Sequence, residues 1–269
     1  SHSRFMKAIR ISIALFFVVT GISSCHKSID LALKPATSDL ATATEIQSAA
    51  STVSANYSPY YWSNLMLNNV TADNNIYITS RDSVTWAGYN GFGNYRCETD
   101  CSGLLTALLK QTYSYTKTYL KNWTGMSNPN AAAYYNEIKT KDHFSQISTV
   151  GNMQQGDIIA IKYPTGTSTS TGHIMLIAAA PTLRTASAPL ITGTTQYEVR
   201  VIDASSSGHG SLDTRYISSG NFNDGIGSGY FRLYINSSGG VAGYTWSTYS
   251  SSVYYSQSDR PLLVGRLLP

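Results

Sequence analysis

The sequence predicts an α+β fold, with helices in the first half and a mainly antiparallel β-sheet in the second. Three observations carry this. Apolar residues recur at helical spacing up to Lys139 and follow strand patterns from Asp157 onward, the order of segregated α+β architectures. The 20 Tyr stand against 7 Phe among many Ser, Thr, Asn and Gly, a mixture suited to pleated strands joined by polar turns. Only 13% of residues are charged and 42% are hydrophobic, which excludes charge-driven disorder and a long charged coiled coil.

The elements follow in order. Residues 45–57 suit a short leading helix, and residues 86–95 form a loop of Gly, Asn and aromatic residues. The clearest helix comes next: Leu104, Leu105, Leu108 and Leu109 share a buried face, Asp100 stands at the N-cap, and Lys110 suits the last turn. Residues 111–126 read as a connection rich in Tyr, Thr and Lys, and a second helix is expected over 130–139 after Pro129. Strands are expected at 157–161 after Gly156, at 173–178 after Gly172, and at 197–203, where Tyr197, Val199 and Val201 share a face. Three more are expected at 230–235, 241–246 and 262–267, the last introduced by Arg260-Pro261. The run Gly225-Ile226-Gly227-Ser228-Gly229 has neither phosphate-loop nor dinucleotide spacing and reads as a turn into the strand at 230–235.

At the N-terminus, Lys7 and Arg10 precede an apolar run over 11–19, and small residues lead on to Cys25, the order of a secretory signal. The run is well short of the roughly 20 residues that a membrane-spanning helix needs. Ile22-Ser23-Ser24-Cys25 resembles a bacterial lipoprotein signal. That resemblance implies a cleaved segment 1–24, lipidation of Cys25, a Ser/Thr/Ala-rich tether to residue 50, and a single domain over 51–269. It also implies a location in the cell envelope, facing the periplasm or the cell surface, with the lipid as the contact with the membrane. The formal charge of +4 then belongs mostly to the signal: without Arg4, Lys7 and Arg10 the 19 basic residues fall to 16 against 15 acidic. With no basic cluster left, nucleic acid is not an expected partner.

Two cysteines remain for the domain. Cys101 falls in the first turn of the helix capped by Asp100, where unpaired amides and the helix dipole favour a thiolate. A thiolate needs a base to hold its proton, and histidine is the usual one near neutral pH. His2 leaves with the signal, His26 adjoins the lipid site, and His143 lies in a polar connection; His173, opening an apolar strand, and His209, in Ser207-Gly208-His209-Gly210, remain. Cys97 lies four residues before Cys101, a spacing of neither redox nor zinc pairs, so it reads as a buried thiol, and no metal or other cofactor is expected. Arg215, Arg232 and Arg266 read as surface ion-pair partners.

Asp100-Cys101-Ser102-Gly103-Leu104-Leu105 resembles the nucleophile helix of the NlpC family, papain-like cysteine peptidases of bacterial cell walls. Gly156-Asp157-Ile158-Ile159 and Gly172-His173-Ile174-Met175-Leu176-Ile177 resemble, in the family's order, its first core strand and its histidine strand. The resemblance covers roughly residues 55–210. It implies a papain-like core in which the nucleophile helix packs on the sheet, with Cys101 as nucleophile and His173 as base. Asp203, in Val201-Ile202-Asp203-Ala204-Ser205, takes the orienting position where the family often has His, Asn or Gln, with His209 as its rival. Asp100 and Ser102 are implied as contacts for the amino end of a peptidoglycan stem peptide, and Tyr95 or Tyr89 is expected to line the same cleft. The implied reaction is amide hydrolysis in that peptide, between a γ-linked D-Glu and the diamino acid, by a monomeric chain. Residues 111–150 and 179–196 are long connections able to reshape the cleft. A thiol amidase or acyltransferase on another envelope substrate, or a non-catalytic wall-binding lipoprotein, are the alternatives.

Overall fold

The computed structural model describes residues 57–166 and 169–269. The expected signal, Cys25, the tether and residues 45–56 of the expected leading helix lie outside them. Helix α1 spans Pro59–Asn69: the Ser58 hydroxyl accepts from the Tyr61 amide, Pro59 occupies the first turn, and Trp62 and Met66 are buried one turn apart. Strands β1 (Asn75–Tyr77), β2 (Ser83–Thr85) and β3 (Arg96–Thr99) form a small sheet with β3 in the middle, parallel to β1 and antiparallel to β2. The loop expected at 86–95 joins β2 to β3. Strands of three or four residues carry too little periodicity to be read in advance.

Helix α2, Cys101–Tyr113, starts directly after β3 and ends at Ser114, whose φ is +57°. The expected connection over 111–126 is corrected by a further helix, α3, at Lys117–Thr124. Its caps are legible, since Thr116 accepts from the Tyr119 amide and Gly125 takes a positive φ of 78°. Leu120 is its one buried residue, so no apolar stripe marks it. Helix α4, Ala131–Thr140, falls where it was expected, with Asn130 as its cap.

The remaining strands are β4 (Phe144–Gln146), β5 (Ile158–Lys162), β6 (Gly172–Ile177), β7 (Thr182–Leu183), β8 (Thr195–Ser205), β9 (Tyr216–Ser218), β10 (Asn221–Phe222), β11 (Gly225–Ile235), β12 (Val241–Thr245), β13 (Tyr254–Ser256) and β14 (Leu262–Leu267). β9 and β10 form a small hairpin. The others build a nine-stranded sheet in the order β13-β12-β11-β8-β6-β5-β14-β4, with β7 beside β8, and its pairs are antiparallel. The turn expected at 225–229 is a second correction: these residues belong to β11 and pair one by one with Ser205 to Val201 of β8.

The sheet is covered on both faces. Ile158, Ala160, Ile174 and Leu176 meet Leu105 and Leu109 of α2 and Tyr134 and Ile138 of α4. Ile159, Ile161, Met175 and Ile177 face the other way, with Val199, Val201, Phe231 and Leu233. Burial on both faces explains why β5 and β6 read as continuous apolar runs rather than alternating ones. A third cluster ties Trp62, Cys97, Leu104 and Leu108 to Ile202, Ala204 and Ile226, seating α2 against the middle of the sheet.

Candidate active site

Cys101 sits where the small sheet hands over to α2. Asp100 is still extended and caps the helix through Oδ1, which accepts from the Gly103 amide at 2.7 Å and the Ser102 hydroxyl at 2.9 Å. Cys101 is the first helical residue and is 6% exposed. Gly103 is required by close approach: a Cβ there would collide with the Asp82 carboxylate and the Thr99 hydroxyl, which are bonded to each other at 2.6 Å. Helix propensity alone makes alanine better than glycine by about 1 kcal/mol. Here we expect the opposite sign: Gly103→Ala should destabilise the fold by about 1–3 kcal/mol through overpacking, read as a lower denaturant midpoint.

His173 is the second residue of β6. It follows Gly172, at which any Cβ would run into the Ile161 carbonyl. The ladder between β6 and β8 consists of Leu176↔Ile202 and Ile177↔Val201, so it opens toward His173 and Asp203. In that opening His173 Nε2 meets Asp203 Oδ2 at 2.6 Å. The thiol of Cys101 acts on the same imidazole, for which Nδ1 is the nitrogen left. Both His173 and Asp203 are buried.

The electrostatics follow from these partners. Burial on its own would lower the His173 pKa. The interaction with Cys101, followed by the hydrogen bond to Asp203, reverses this and pushes it up to about 10. Burial would likewise raise the Asp203 carboxyl, but Arg215, His209 and His173 hold it well below the usual carboxylate range.

His209 does not replace Asp203. It stands behind it, with Nε2 at 3.1 Å from the same Oδ2 and Nδ1 at 2.7 Å from the Trp246 carbonyl. Trp246 packs against both imidazoles, at ring-centroid distances of 4.7 Å from His173 and 4.6 Å from His209. Nothing in the local sequence around Trp246 marks this contact, because it depends on β12 lying beside β11.

Asp100, Cys101 and Ser102 line one cleft of about 290 Å³, together with Tyr77, Asn130, Thr171 and Gly172. Among the described residues, the tyrosine on this cleft wall is Tyr77, where Tyr95 or Tyr89 was expected. The parallel register Tyr77↔Thr99 carries Tyr77 to the start of α2. Tyr95 and Tyr89 pack into the Trp62 cluster instead. Burial, followed by the nearby Cys101 and Asp100, raises the Tyr77 phenol above its ordinary pKa.

Cys97 is wholly buried in the same Trp62 cluster, and burial pushes its thiol up to about 12. Both Cys97 and Cys101 are free thiols. The arginines depart from expectation. Arg215 and Arg232 are buried, 2% and 0% exposed. Arg215 pairs with Asp203 and Asp213, while Arg232 spends its donors on Thr245, on Ser187 and Gln196, and on the carbonyls of Ala188 and Tyr249. Arg266 does pair at the surface, with the buried Asp157.

No family profile and no solved structure matches the chain. Over 216 residues it is 35% identical to an uncharacterized protein of Acanthamoeba polyphaga mimivirus, an alignment spanning 77% of this chain and 94% of the viral one. Among the described residues, no helix is long and apolar enough to cross a membrane.

Proposed function

The chain belongs to the family of that uncharacterized viral protein, and from its own site chemistry we propose that it is a cysteine peptidase with a papain-like core, akin to the NlpC group, that hydrolyses amide bonds of peptidoglycan stem peptides. One arrangement carries the proposal. A thiol at a helix N-terminus acts electrostatically on an imidazole of which one nitrogen lies 2.6 Å from a buried carboxylate, and the thiol opens on a cleft.

In this reading His173 takes the proton of Cys101, and the thiolate attacks the amide carbonyl. The backbone N–H of Cys101 donates to the oxyanion that develops. His173 then gives its proton to the leaving amine, and water, deprotonated by the same imidazole, releases the acyl group. Asp203 accepts from Nε2–H throughout, which leaves Nδ1 as the proton-transfer nitrogen. The Asp100 carboxylate and the Ser102 hydroxyl, on the cleft wall beside the sulfur, suit the ammonium end of a short peptide. The export signal and lipid anchor read from Cys25 would place this activity in the cell envelope.

The raised His173 pKa sets a pH prediction. The imidazolium is retained until the pH approaches 10, so kcat/KM should hold across neutral pH and fall as the pH rises through about 10. The stability that the charged imidazole contributes is complete below its ordinary 6.5 and is lost over the same rise. A pH–rate profile with its alkaline fall near 7 would contradict this.

The function itself is tested by incubating purified muropeptides with the protein and weighing the products. Two fragments that together exceed the parent by one water are expected. Intact muropeptides alongside cleavage of other envelope amides would favour the broader thiol amidase. Binding without any cleavage would favour the wall-binding reading.

A further inference from the structure

The glycine run of β11, which resembles no nucleotide loop, has a role at the site. Gly227 lies directly opposite Asp203 in the β8–β11 ladder. A Cβ on Gly227 would collide with the Arg215 guanidinium, and one on Gly229 would collide with Asp213 and His209. The missing side chains thus make a bed on which a buried charged group lies flat.

That group is tightly bonded. Arg215 Nη2 donates to Asp203 Oδ1 at 2.8 Å and to Asp213 Oδ2 at 2.9 Å; Nε donates to Asp213 Oδ1 at 2.9 Å, and Nη1 to the Gly225 carbonyl at 3.1 Å. Asp213 also accepts from the His209 amide at 2.8 Å. Both ring nitrogens of His209 are engaged, one by Asp203 and the other by the Trp246 carbonyl, which fixes the ring behind the carboxylate. Asp203 is therefore held at each oxygen: by Arg215 at Oδ1, and by His209 beside His173 at Oδ2.

We propose that Arg215 and His209, seated on the side-chain-free stretch of β11, are positioning residues that keep the Asp203 carboxylate ionised and turn its Oδ2 toward His173. This rests on the reading of Cys101, His173 and Asp203 as catalytic. The clamp acts through Asp203 and touches no substrate. The groups facing Asp203 and His173 are Cys101 from α2, Tyr77 from β1, Tyr163 after β5, and His209, Asp213 and Arg215 from the segment after β8. Arg215 and His209 are the two among these that bond Asp203 without also contacting Cys101.

Gly227→Ala and His209→Gln test this in the full chain. Arg215→Met is avoided because it strips the buried Asp213 of its partner and endangers folding. The low-field NMR proton of the short His173 Nε2–H bond is followed as the pH is lowered, since protonating Asp203 ends that bond. Removing or displacing a partner that bonds the ionised form raises the pKa of a carboxylate, so the signal should vanish about one pH unit or more higher in Gly227→Ala, and by a smaller shift of the same sign in His209→Gln. In parallel, iodoacetamide labelling of wild-type Cys101, resolved by mass spectrometry at neutral pH, reads whether that thiol is activated. Wild-type pH midpoints in both variants would overturn the clamp, and if one variant does not fold the other decides. If wild-type Cys101 labels no faster than an ordinary free thiol, the catalytic reading falls, whereas the NMR midpoints still judge the clamp.

Discussion

Cys101→Ala should abolish muropeptide cleavage, with kcat/KM down by at least about 10⁴-fold, while the fold is kept. The sulfur is the atom that would form the acyl intermediate, and no other described thiol can substitute, because Cys97 is wholly buried in a different cluster. Cys101 is nearly buried at the start of α2, so alanine removes one atom at the rim of the core and costs little packing. His173→Ala should lose activity to a similar degree, since members of such a unit act together rather than additively. The two variants separate by chemistry: His173→Ala retains a thiol that labels slowly, and Cys101→Ala has none there to label. Turnover within tenfold of wild type in Cys101→Ala would rule out acyl-enzyme chemistry at this sulfur.

Asp203→Ala should damage both activity and stability. Asp203 bonds His173, His209 and Arg215, and removing it leaves Arg215 Nη2 with Asp213 alone and His209 Nε2 facing no acceptor. Breaking a buried ion pair by deleting one partner costs about 3–5 kcal/mol. Turnover should fall by about 10²–10⁴-fold, because the imidazole loses the acceptor that fixes its tautomer. Asp203→Asn separates the two effects, keeping the shape and one oxygen acceptor while removing the charge. It should cost less stability but still lower the alkaline fall of the rate profile below about 10, since the carboxylate supports the imidazolium. For the wild type, the Asp203 pKa lies below its ordinary 3.8, so its ionised form contributes stability present above that value and lost as the pH falls through the folded value. Equal thermal midpoints for wild type and Asp203→Ala between pH 5 and 8 would contradict the network.

Much of this was legible along the chain. The cap, the cysteine and the leucine face of α2 lie within ten consecutive residues, and helix-forming signals are local. The strands β5, β6, β8, β12 and β14 were marked by apolar runs between turn residues. The elements that escaped were those with little apolar contrast: α3 has one buried residue, and β1 to β3 are three or four residues long. The glycines of β11 were misread because glycine in a run signals a turn locally, whereas here it records the bulk of Arg215, Asp213 and His209 packed across the strand.

What the sequence determined by itself is the α+β class, the helices that begin at Cys101 and Ala131, the strands β5, β6, β8, β12 and β14, and the candidate residues Cys101, His173 and Asp203. Which tyrosine lines the cleft, which of Asp203 and His209 meets His173, and the burial of Arg215 were decided only by tertiary structure. The reason is physical: caps and periodicity act over a few neighbouring residues, but a buried charge can be placed only by partners far along the chain. Arg215 is tolerable in the interior because Asp203, Asp213 and the Gly225 carbonyl, brought together by β8, β11 and the loop between them, supply its acceptors at once.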